Sequence, residues 1–344
     1  QFTIFKSRMK TVAVIFGGKS AEHDVSIITA HIPIIDSLTA SGGFDIWPVY
    51  ITKEGKWYAD KAMNALMFFK QPDYESILKK QKQIRLSFEN GLEIIWPGSV
   101  LRREKKMKID VVFTAMHGTY GEDGTVQQLL ESAGIPYTGS GPAASALAMD
   151  KVRSADVFRS HGLRVPETLP WSVHAPSDHR AFTQAIRSRF PFPVVVKPSN
   201  LGSSIGVALV ADERELDAAI AHTASLSASL IAQEYLRGRE VTCGVLDDGD
   251  AASVRALPVT EIIPRHASFF DYTAKYAPDA SRELTPAILP STTTAAIQAA
   301  AITAHRCLGC TGVSRTDMIL VENIPYVLET NTIPGLTAAS LLPQ

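Results

Sequence analysis

Apolar and polar positions divide the chain into two regions with different predicted elements. In the first region, continuous apolar runs at residues 11–16 and 109–113 predict strands that are buried on both faces, as in a parallel sheet. Helical periodicity follows from about residue 21 and again over residues 125–133. Strands that alternate with helices in this way predict an α/β first domain at residues 9–130.

The second region combines hairpin-joined strands with helices, so the whole chain is predicted to be a multidomain α/β and α+β protein. Its predicted strands are residues 193–198, 207–210, 230–236 and 255–263, and its predicted helices are residues 178–190, 213–222 and 293–308. A β-hairpin is predicted near the end of the chain, with strands at residues 314–321 and 326–331.

The hairpin places four polar side chains on one face. Because side chains alternate along a strand, folding about Asn323 sets Asp317 opposite Glu329 and Arg315 opposite Asn331. The other face is left to Met318, Leu320 and Leu328. Two carboxylates and an amide oxygen form a cluster suited to Mg²⁺ when the ion also holds phosphates. A polar solvent face is the alternative, and the apolar flanks argue against it.

Two glycine-rich loops at the ends of predicted strands carry further candidates. The loop at residues 17–22 resembles a phosphate-binding P-loop, but that pattern requires a glycine where this chain has Ala13. Glu22 fits either favourable placement in a first helical turn or a carboxylate aimed at a substrate ammonium. His117, in the loop at residues 116–124, is either structural or a ligand contact at the end of a strand.

A lysine lies at the end of the predicted strand 193–198, before a Gly/Ser-rich loop at residues 199–206. Such a loop can cover phosphates with backbone N–H groups, and Lys197 would add a fixed positive charge. A flexible hairpin loop is the alternative. The strand 230–236, followed by Glu240, suits an adenine edge and a ribose diol.

Composition places the chain among ordinary globular proteins. Its 344 residues, 45% hydrophobic and 20% charged, suffice for two or three domains. A net charge of −1 gives no basic footprint for nucleic acid or an anionic membrane, and no apolar run approaches the roughly 20 residues of a membrane helix. Cys307 and Cys310 form a single CxxC, which we interpret as small residues at a helix end rather than a zinc or redox site. A reduced, cytoplasmic setting fits this cysteine usage.

Three segments show no clear periodicity. Residues 53–108 are basic and irregular. We interpret the charged runs at residues 79–82 and 102–108 as solvent-exposed segments around a short hairpin, and we assign them no function. Residues 269–290 are aromatic and flanked by proline, which is typical of a lid or of disorder. Residues 1–8 precede Met9 and are interpreted as an upstream extension.

Together these motifs resemble the ATP-grasp ligases, in particular the D-alanine–D-alanine ligase family. The matching pieces, in the family's order, are residues 17–22, 117–124, 149–153, 196–206, 271–276, 314–317 and 329–335. The resemblance implies an ATP-grasp fold with an N-terminal Rossmann-like domain at residues 9–130, a central subdomain at residues 131–240 and a C-terminal subdomain at residues 241–344. The family continues with a further helix, so a truncated C-terminus is expected.

The resemblance also assigns site residues. The implied ligands of a pair of Mg²⁺ ions, with Mn²⁺ as an alternative, are Asp317, Glu329 and Asn331. The implied ATP-binding residues are Lys151, Lys197, Gly202, Ser204, Gln233, Glu234, Tyr235, Leu236 and Glu240. The implied catalytic residues are Glu22, Ser203, Tyr276 and Arg315. The implied substrate-binding residues are His117, Lys275, Gly335, Ser340 and Leu341.

The implied reaction forms D-alanyl-D-alanine for peptidoglycan synthesis in the cytoplasm. ATP phosphorylates the carboxylate of one D-alanine, and the amine of a second D-alanine attacks the acyl phosphate. The resemblance implies a homodimer that acts on small molecules, with no nucleic-acid or membrane partner. Tyr276 beside Lys275 favours an amine nucleophile over a hydroxy acid. A D-alanine–D-serine ligase and a non-catalytic nucleotide-binding protein of the same fold stay open as alternatives.

Overall fold

The computed structural model describes residues 8–89, 91–99, 103–172, 179–250, 253–264, 281–337 and 340–343. The chain divides into two compact units, the first formed by Gln1–Pro142 with Gly335–Pro343 and the second by Ala143–Pro334. Lys275 and Tyr276 lie outside the described residues. The predicted division into three domains, with a boundary inside the second unit, stays a prediction.

The strands are β1 (Lys10–Gly17), β2 (Phe44–Ile51), β3 (Trp57–Ala59), β4 (Arg85–Ser87), β5 (Glu93–Trp96), β6 (Lys105–Lys108), β7 (Val111–Thr114), β8 (Thr168–Ser172), β9 (Val194–Pro198), β10 (Ala208–Val210), β11 (Ser229–Glu234), β12 (Arg239–Leu246), β13 (Arg255–Pro264), β14 (Ser281–Leu284), β15 (Val313–Val321) and β16 (Ile324–Asn331). The helices are α1 (His23–Thr29), α2 (Asp36–Ser41), α3 (Tyr74–Lys80), α4 (Thr125–Ser132), α5 (Pro142–Met149), α6 (Lys151–Ser160), α7 (His179–Arg189), α8 (Leu216–Leu226) and α9 (Ser291–Cys307). A π-helical segment, Ala30–Ile35, joins α1 to α2, and two short 3₁₀ helices span Lys61–Asn64 and Leu66–Phe68. Among the described residues, no helix is both long enough and apolar enough to cross a membrane.

A four-stranded sheet in the order β3-β2-β1-β7 organises the first unit. β1 runs parallel to both β2 and β7, as the α/β prediction requires. Both faces of β1 are buried: Val14 and Phe16 belong to one apolar cluster, and Ala13 and Ile15 to another. A strand that is covered on both sides needs a continuous apolar run, which explains why this element is readable in the sequence.

Residues 53–108 contribute to the core, which their basic and irregular sequence did not indicate. Strands β4, β5 and β6 form a three-stranded antiparallel sheet. Leu92 and Ile94 are fully buried, and they pack in the same cluster as Ile15 of β1. The strands have only three or four residues and β6 is rich in lysine, so the alternation is too short to show above the charge.

The second unit contains two antiparallel sheets. The first has the order β10-β9-β11-β8 and packs on α7 and α8. The other has the order β14-β13-β12-β15-β16 and packs on α9. Part of the segment predicted to be a lid or disordered is therefore a strand, since β14 pairs with β13. Cys310, just beyond α9, is buried in the core and Cys307 packs against it, in line with the structural interpretation of this pair.

Candidate active site

The hairpin of β15 and β16 has the register expected from its sequence. A two-residue turn at residues 322–323 has positive φ at both positions, as a type I′ turn requires. Asp317 pairs with Glu329 and Arg315 pairs with Asn331. All four polar side chains therefore leave the same face of the sheet, and this part of the prediction is confirmed.

A β-bulge corrects the prediction for the opposite face of the hairpin. The register shifts after Asp317, so Met318 pairs with Val327. Val327, rather than the predicted Leu328, is buried with Met318 in the core, and Leu328 is half-buried. One extra residue in a strand reverses its alternation beyond that point, so the bulge separates the apolar end of β16 from its polar end.

The carboxylate of Asp317 is the centre of a hydrogen-bonded cluster. Arg315 donates to both of its oxygens, from Nε at 2.8 Å and from Nη2 at 2.7 Å. Asn331 Nδ2 donates to Oδ2 at 3.1 Å, and Thr242 Oγ1, on the neighbouring strand β12, donates to Oδ1 at 2.6 Å. Bidentate pairing with a buried guanidinium fixes the orientation of both groups, so the cluster is rigid before any ligand arrives.

Lys151 links Glu329, the second carboxylate of the hairpin, to the Gly/Ser-rich loop at residues 199–206. Its ammonium lies 2.8 Å from Glu329 Oε2 and donates to the carbonyl of Leu201 at 2.8 Å. Lys151 is the first residue of α6, and the Asp150 side chain caps that helix by accepting from two backbone N–H groups. The capped start of the helix therefore determines where this lysine lies.

Lys197 lies near the end of β9 and is buried, as its place in the sequence predicted. The pKa of this ammonium is lowered to about 8, mainly by burial and also by the nearby Lys151 ammonium, while the Glu329 carboxylate opposes both effects. Two ammonium groups that share one carboxylate leave an excess of positive charge. A polyanion such as a triphosphate would neutralise it.

The loop between β9 and β10 holds two non-glycine residues in the left-handed region. Ser203 has φ 53° and Ser204 has φ 57°, and Ser203 is buried. Conformations of this kind cost about 1 kcal/mol or more each, and they persist where the surroundings impose them, often at ligand sites. Gly202, half-buried, accepts from the backbone N–H of Ile205, so this segment forms a tight turn rather than an extended hairpin loop.

The predicted adenine-binding residues lie at the end of β11. Gln233 is buried and donates to Thr168 Oγ1 at 3.0 Å, and Glu234 accepts from the backbone N–H of Glu167 at 2.7 Å. Tyr235, Leu236 and Glu240 are half-buried, the last of them on β12. These contacts fix the end of the strand, and the ligand roles of these residues stay predictions.

In the first unit, Glu22 and His117 lie on two loops that are joined by hydrogen bonds. Glu22 immediately precedes α1, and its backbone N–H donates to Ser20 Oγ at 3.2 Å. The same hydroxyl donates to the carbonyl of His117 at 2.6 Å. A Cβ placed on Gly118 would lie 2.8 Å from Glu22 Oε2, so the carboxylate packs directly on that glycine. His117 is buried, with Nε2 3.0 Å from Thr29 Oγ1.

The last predicted substrate-binding residues also belong to the first unit. Ser340 Oγ accepts from the backbone N–H of Thr337 at 3.1 Å and lies 2.8 Å from its hydroxyl. A Cβ on Gly335 would lie 2.7 Å from Ser340 Oγ, so a side chain at this position would displace that hydroxyl group. Leu341 is half-buried. Arg315 is in the second unit, and the predicted pairing of its side chain with the Gly335 N–H stays a prediction.

The donor set on the hairpin fits a hard divalent cation. Asp317 and Glu329 project from the same face of two adjacent strands, and Asn331 adds an amide group on that face. Arg315 pairs with Asp317 and Lys151 with Glu329, so each carboxylate is neutralised by a cation of the protein. Oxygen donors that converge in this way are those that Mg²⁺ prefers when it bridges phosphates. The metal roles of these three residues stay predictions.

Three hydroxyl groups that hold the site were not found in the sequence. Thr242 contacts Asp317, Thr29 contacts His117, and Ser20 joins the loops of Glu22 and His117. Ser20 lies inside the motif at residues 17–22, and that motif could have indicated its role. The two threonines lie in ordinary strand and helix patterns that carry no such signal.

Similar solved structures define the class of protein. VanG D-Ala:D-Ser ligase from Enterococcus faecalis matches with a TM-score of 0.82 at 33% identity, over 97% of this chain and 93% of that chain. A D-alanine–D-alanine ligase from Bacillus anthracis, solved in complex with ATP, matches with a TM-score of 0.65 at 29% identity, over 97% and 90% of the two chains. The fold is that of an ATP-grasp ligase, an ATP-dependent enzyme.

Sequence comparisons identify the family within that class. Residues 11–140 match the family described as D-ala D-ala ligase N-terminus, and residues 157–344 match D-ala D-ala ligase C-terminus. A D-alanine–D-alanine ligase from Leptospira interrogans is 36% identical over 342 residues, which cover 98% of this chain and 93% of the relative. The chain belongs to the D-alanine–D-alanine ligase family.

Proposed function

We propose that this protein joins two D-alanine molecules into D-alanyl-D-alanine, a peptidoglycan precursor, with ATP as the energy source. The observation that carries the proposal is the arrangement of Lys151 and Lys197 beside Glu329, with Arg315 held on Asp317. This arrangement offers positive charge to a triphosphate and oxygen donors to a metal on one side of a single hairpin. Phosphoryl transfer depends on positioning and charge neutralisation, which such a site supplies.

In the first step, the γ-phosphoryl group passes to the carboxylate of the first D-alanine and gives an acyl phosphate and ADP. Lys151 and Lys197 would hold the phosphates, and the turn around Ser203, with Gly202 and Ser204, would cover them. The contact between Lys151 and the carbonyl of Leu201 supports this assignment, because it places the lysine beside the loop that would cover the phosphates. Gln233 to Leu236 would line the adenine pocket and Glu240 would take the ribose.

Asp317, Glu329 and Asn331 would hold Mg²⁺, as a pair of ions or with Mn²⁺ in its place. When bound, the metal would neutralise charge on the phosphates and fix their orientation. Lys151 contacts Glu329 and Arg315 contacts Asp317 in the described structure. Both carboxylates are thus already held in place by cations of the protein.

In the second step, the amine of the second D-alanine attacks the acyl phosphate carbon. The carbonyl oxygen then becomes an oxyanion, and phosphate leaves as the tetrahedral intermediate collapses to the dipeptide. Arg315 with the Gly335 N–H would stabilise the oxyanion. Glu22 would bind the ammonium of the first substrate, and His117 and Tyr276 would orient the substrates. Ser340, the Leu341 N–H and Lys275 would bind the second substrate's carboxylate.

A D-alanine–D-serine ligase is the second candidate function. The observation in its favour is the TM-score of 0.82 to a structure described as a D-Ala:D-Ser ligase. Both reactions use an amine nucleophile, so the charged cluster on the hairpin serves either. The choice depends on the second-substrate pocket, to which Tyr276 is predicted to contribute.

The experiment that tests the function is phosphate release from Mg²⁺-ATP with a panel of acceptors. D-alanine alone should give dipeptide and equimolar phosphate. Mixtures with D-serine or D-lactate, analysed by mass spectrometry, then rank the nucleophiles. Preference for D-serine over D-alanine would establish the second candidate. Absence of D-alanine-dependent phosphate release from folded protein would contradict both.

We expect ATP affinity to fall as the pH rises above about 8. Below its pKa of about 8, Lys197 carries the positive charge that meets the phosphates, and above it the free protein must first take up a proton. The dissociation constant should then rise by about tenfold per pH unit. Calorimetry at pH 9 in buffers of different ionisation enthalpy should show proton uptake on binding. Lys197→Arg, which stays charged, should abolish it, and wild-type binding without proton uptake would contradict the expectation.

The resemblance alone supports a homodimer in the cytoplasm, and we propose both on that basis. The substrates named above are small molecules, and ATP is supplied in the cytoplasm. Light scattering on the purified protein would test the dimer. Limited proteolysis would test the proposed domain boundary between residues 131–240 and 241–344.

A further inference from the structure

One face of α1 is polar and buried, which is unusual for a helix that packs on a parallel sheet. His23, Ser26 and Thr29 are spaced three residues apart and therefore lie along one side of the helix. Each is at most 1% exposed. Each side chain is hydrogen-bonded to at least one group at the end of β1 or in the loops that follow β1 and β7. Buried polar groups are costly unless they are paired, so these contacts have a structural or functional purpose.

Ser26 joins the ends of the two central strands. Its Oγ accepts from the backbone N–H of Gly17, the last residue of β1, at 2.8 Å. It also donates to the carbonyl of Ala115, immediately after β7, at 2.7 Å. A single hydroxyl group thus bridges the ends of β1 and β7. It sets the distance between the starts of the loops that carry Glu22 and His117.

His23 fixes the glycine turn that leads to Glu22. Burial lowers the pKa of this imidazole and so favours the neutral ring, and the carbonyl of Gly18 can only accept a hydrogen bond. Its Nδ1–H then donates to the carbonyl of Gly18 at 2.6 Å, and Nε2 accepts from the hydroxyl of Tyr50 at 3.0 Å. This contact therefore fixes the carbonyl of Gly18, which lies four residues before Glu22 in the same turn.

Thr29 contacts a site residue directly. Its Oγ1 lies 3.0 Å from His117 Nε2, and both residues are buried. Valine has the same branched shape as threonine and would fill the same space without a hydroxyl group. The hydroxyl is thus needed for its contact with the imidazole rather than for packing.

We infer that Thr29 is a positioning residue for His117, within a polar face of α1 that sets the places of both Glu22 and His117. This inference rests on the proposed function, in which these two residues bind the first D-alanine. The helix would then determine the geometry of the amino-acid subsite without touching the substrate. The nucleotide site of the second unit would be unaffected.

The test compares Thr29→Val, which removes the hydroxyl group and keeps the shape, with Thr29→Ser, which keeps the hydroxyl group. Thr11→Val is the matched control, since Thr11 is also a buried threonine of the first unit and lies at the opposite end of β1. Thr29→Val should raise the KM for D-alanine about tenfold and leave the KM for ATP within twofold. Thr29→Ser and Thr11→Val should both stay near the wild-type values.

A second readout does not depend on catalysis. Nitrogen NMR of the histidine side chains should show a change at one imidazole Nε2 in Thr29→Val, and Thr29→Ser should restore it. His117→Gln assigns the signal. If wild-type protein releases no phosphate with D-alanine, the proposed function fails while the NMR result still decides the contact. Wild-type KM values in folded Thr29→Val, an equal rise of both KM values, or no recovery in Thr29→Ser would overturn the inference.

Discussion

Replacing Arg315 with alanine should lower turnover by about 10²–10³-fold while ATP affinity stays within a few-fold of wild type. The proposed partner of Arg315 is a charge that develops only during the reaction, so its loss should affect the transition state more than the bound nucleotide. The structure strengthens this expectation. Arg315 is 7% exposed and its guanidinium is held on Asp317 by two hydrogen bonds, so no reorganisation is needed when the charge appears.

Because Arg315 pairs with Asp317, the substitution can also affect metal binding, and the experiment must separate this effect from the loss of oxyanion stabilisation. Asp317 is a proposed metal ligand, and Arg315→Ala removes two of its hydrogen bonds. Thr242 and Asn331 still donate to this carboxylate, so it keeps its position. Turnover should be measured at saturating ATP and D-alanine, and nucleotide binding by calorimetry with a non-hydrolysable analogue at several Mg²⁺ concentrations.

Arg239→Ala is the matched control for this variant. Arg239 also forms a bidentate pair in the same five-stranded sheet, with both contacts to Glu261 at 2.6 Å. Its loss should lower stability less than the loss of Arg315, because its side chain is 42% exposed against 8% for Arg315. Turnover should stay within about twofold, because neither Arg239 nor Glu261 has a proposed role in the reaction. An equal loss of turnover in the two variants, or parallel losses of turnover and ATP binding in Arg315→Ala, would contradict the oxyanion role.

The hairpin was predictable because its determinants are local. A two-residue turn with Asn323 in the left-handed region and strict alternation on β15 fix which side chains meet. The bulge after Asp317 was not predictable, because Val327 and Leu328 are both apolar and either could fill the core. Alternation alone cannot show where one extra residue has been inserted.

The contacts that hold the site in place depend on partners far away in the chain. Thr242 and Asp317 are separated by 75 positions, and Thr29 and His117 by 88. No window of local sequence contains both members of either pair. The pKa of Lys197 is another example, since its nearest charges come from α6 and β16, whose approach to β9 follows from the fold. The sequence motifs identify the charged groups, whereas the neutral groups that orient them appear only in three dimensions.

Glu329→Gln should abolish turnover, with a loss of more than about 10³-fold, and should also destabilise the protein. Losing one oxygen ligand of a catalytic metal removes several kcal/mol of charge stabilisation, and about 4 kcal/mol corresponds to 10³ in rate. The stability effect has a separate cause. Lys151 and Lys197 are each 8% exposed, and Glu329 is the carboxylate they share. Its neutralisation leaves two buried ammonium groups together, at a cost of about 2–3 kcal/mol, because Glu329 itself is partly exposed.

The double variant Lys151→Gln/Glu329→Gln separates the two effects. Removing one ammonium together with the carboxylate leaves Lys197 without a like-charged neighbour, so the free energy of unfolding should return to within about 1 kcal/mol of wild type. Turnover should stay lost, because the proposed metal ligand and a proposed phosphate contact are both absent. Urea unfolding and phosphate release on the same preparations measure the two quantities. Recovery of turnover together with stability would mean that Glu329 serves only to hold Lys151, and its proposed role as a metal ligand would then be wrong.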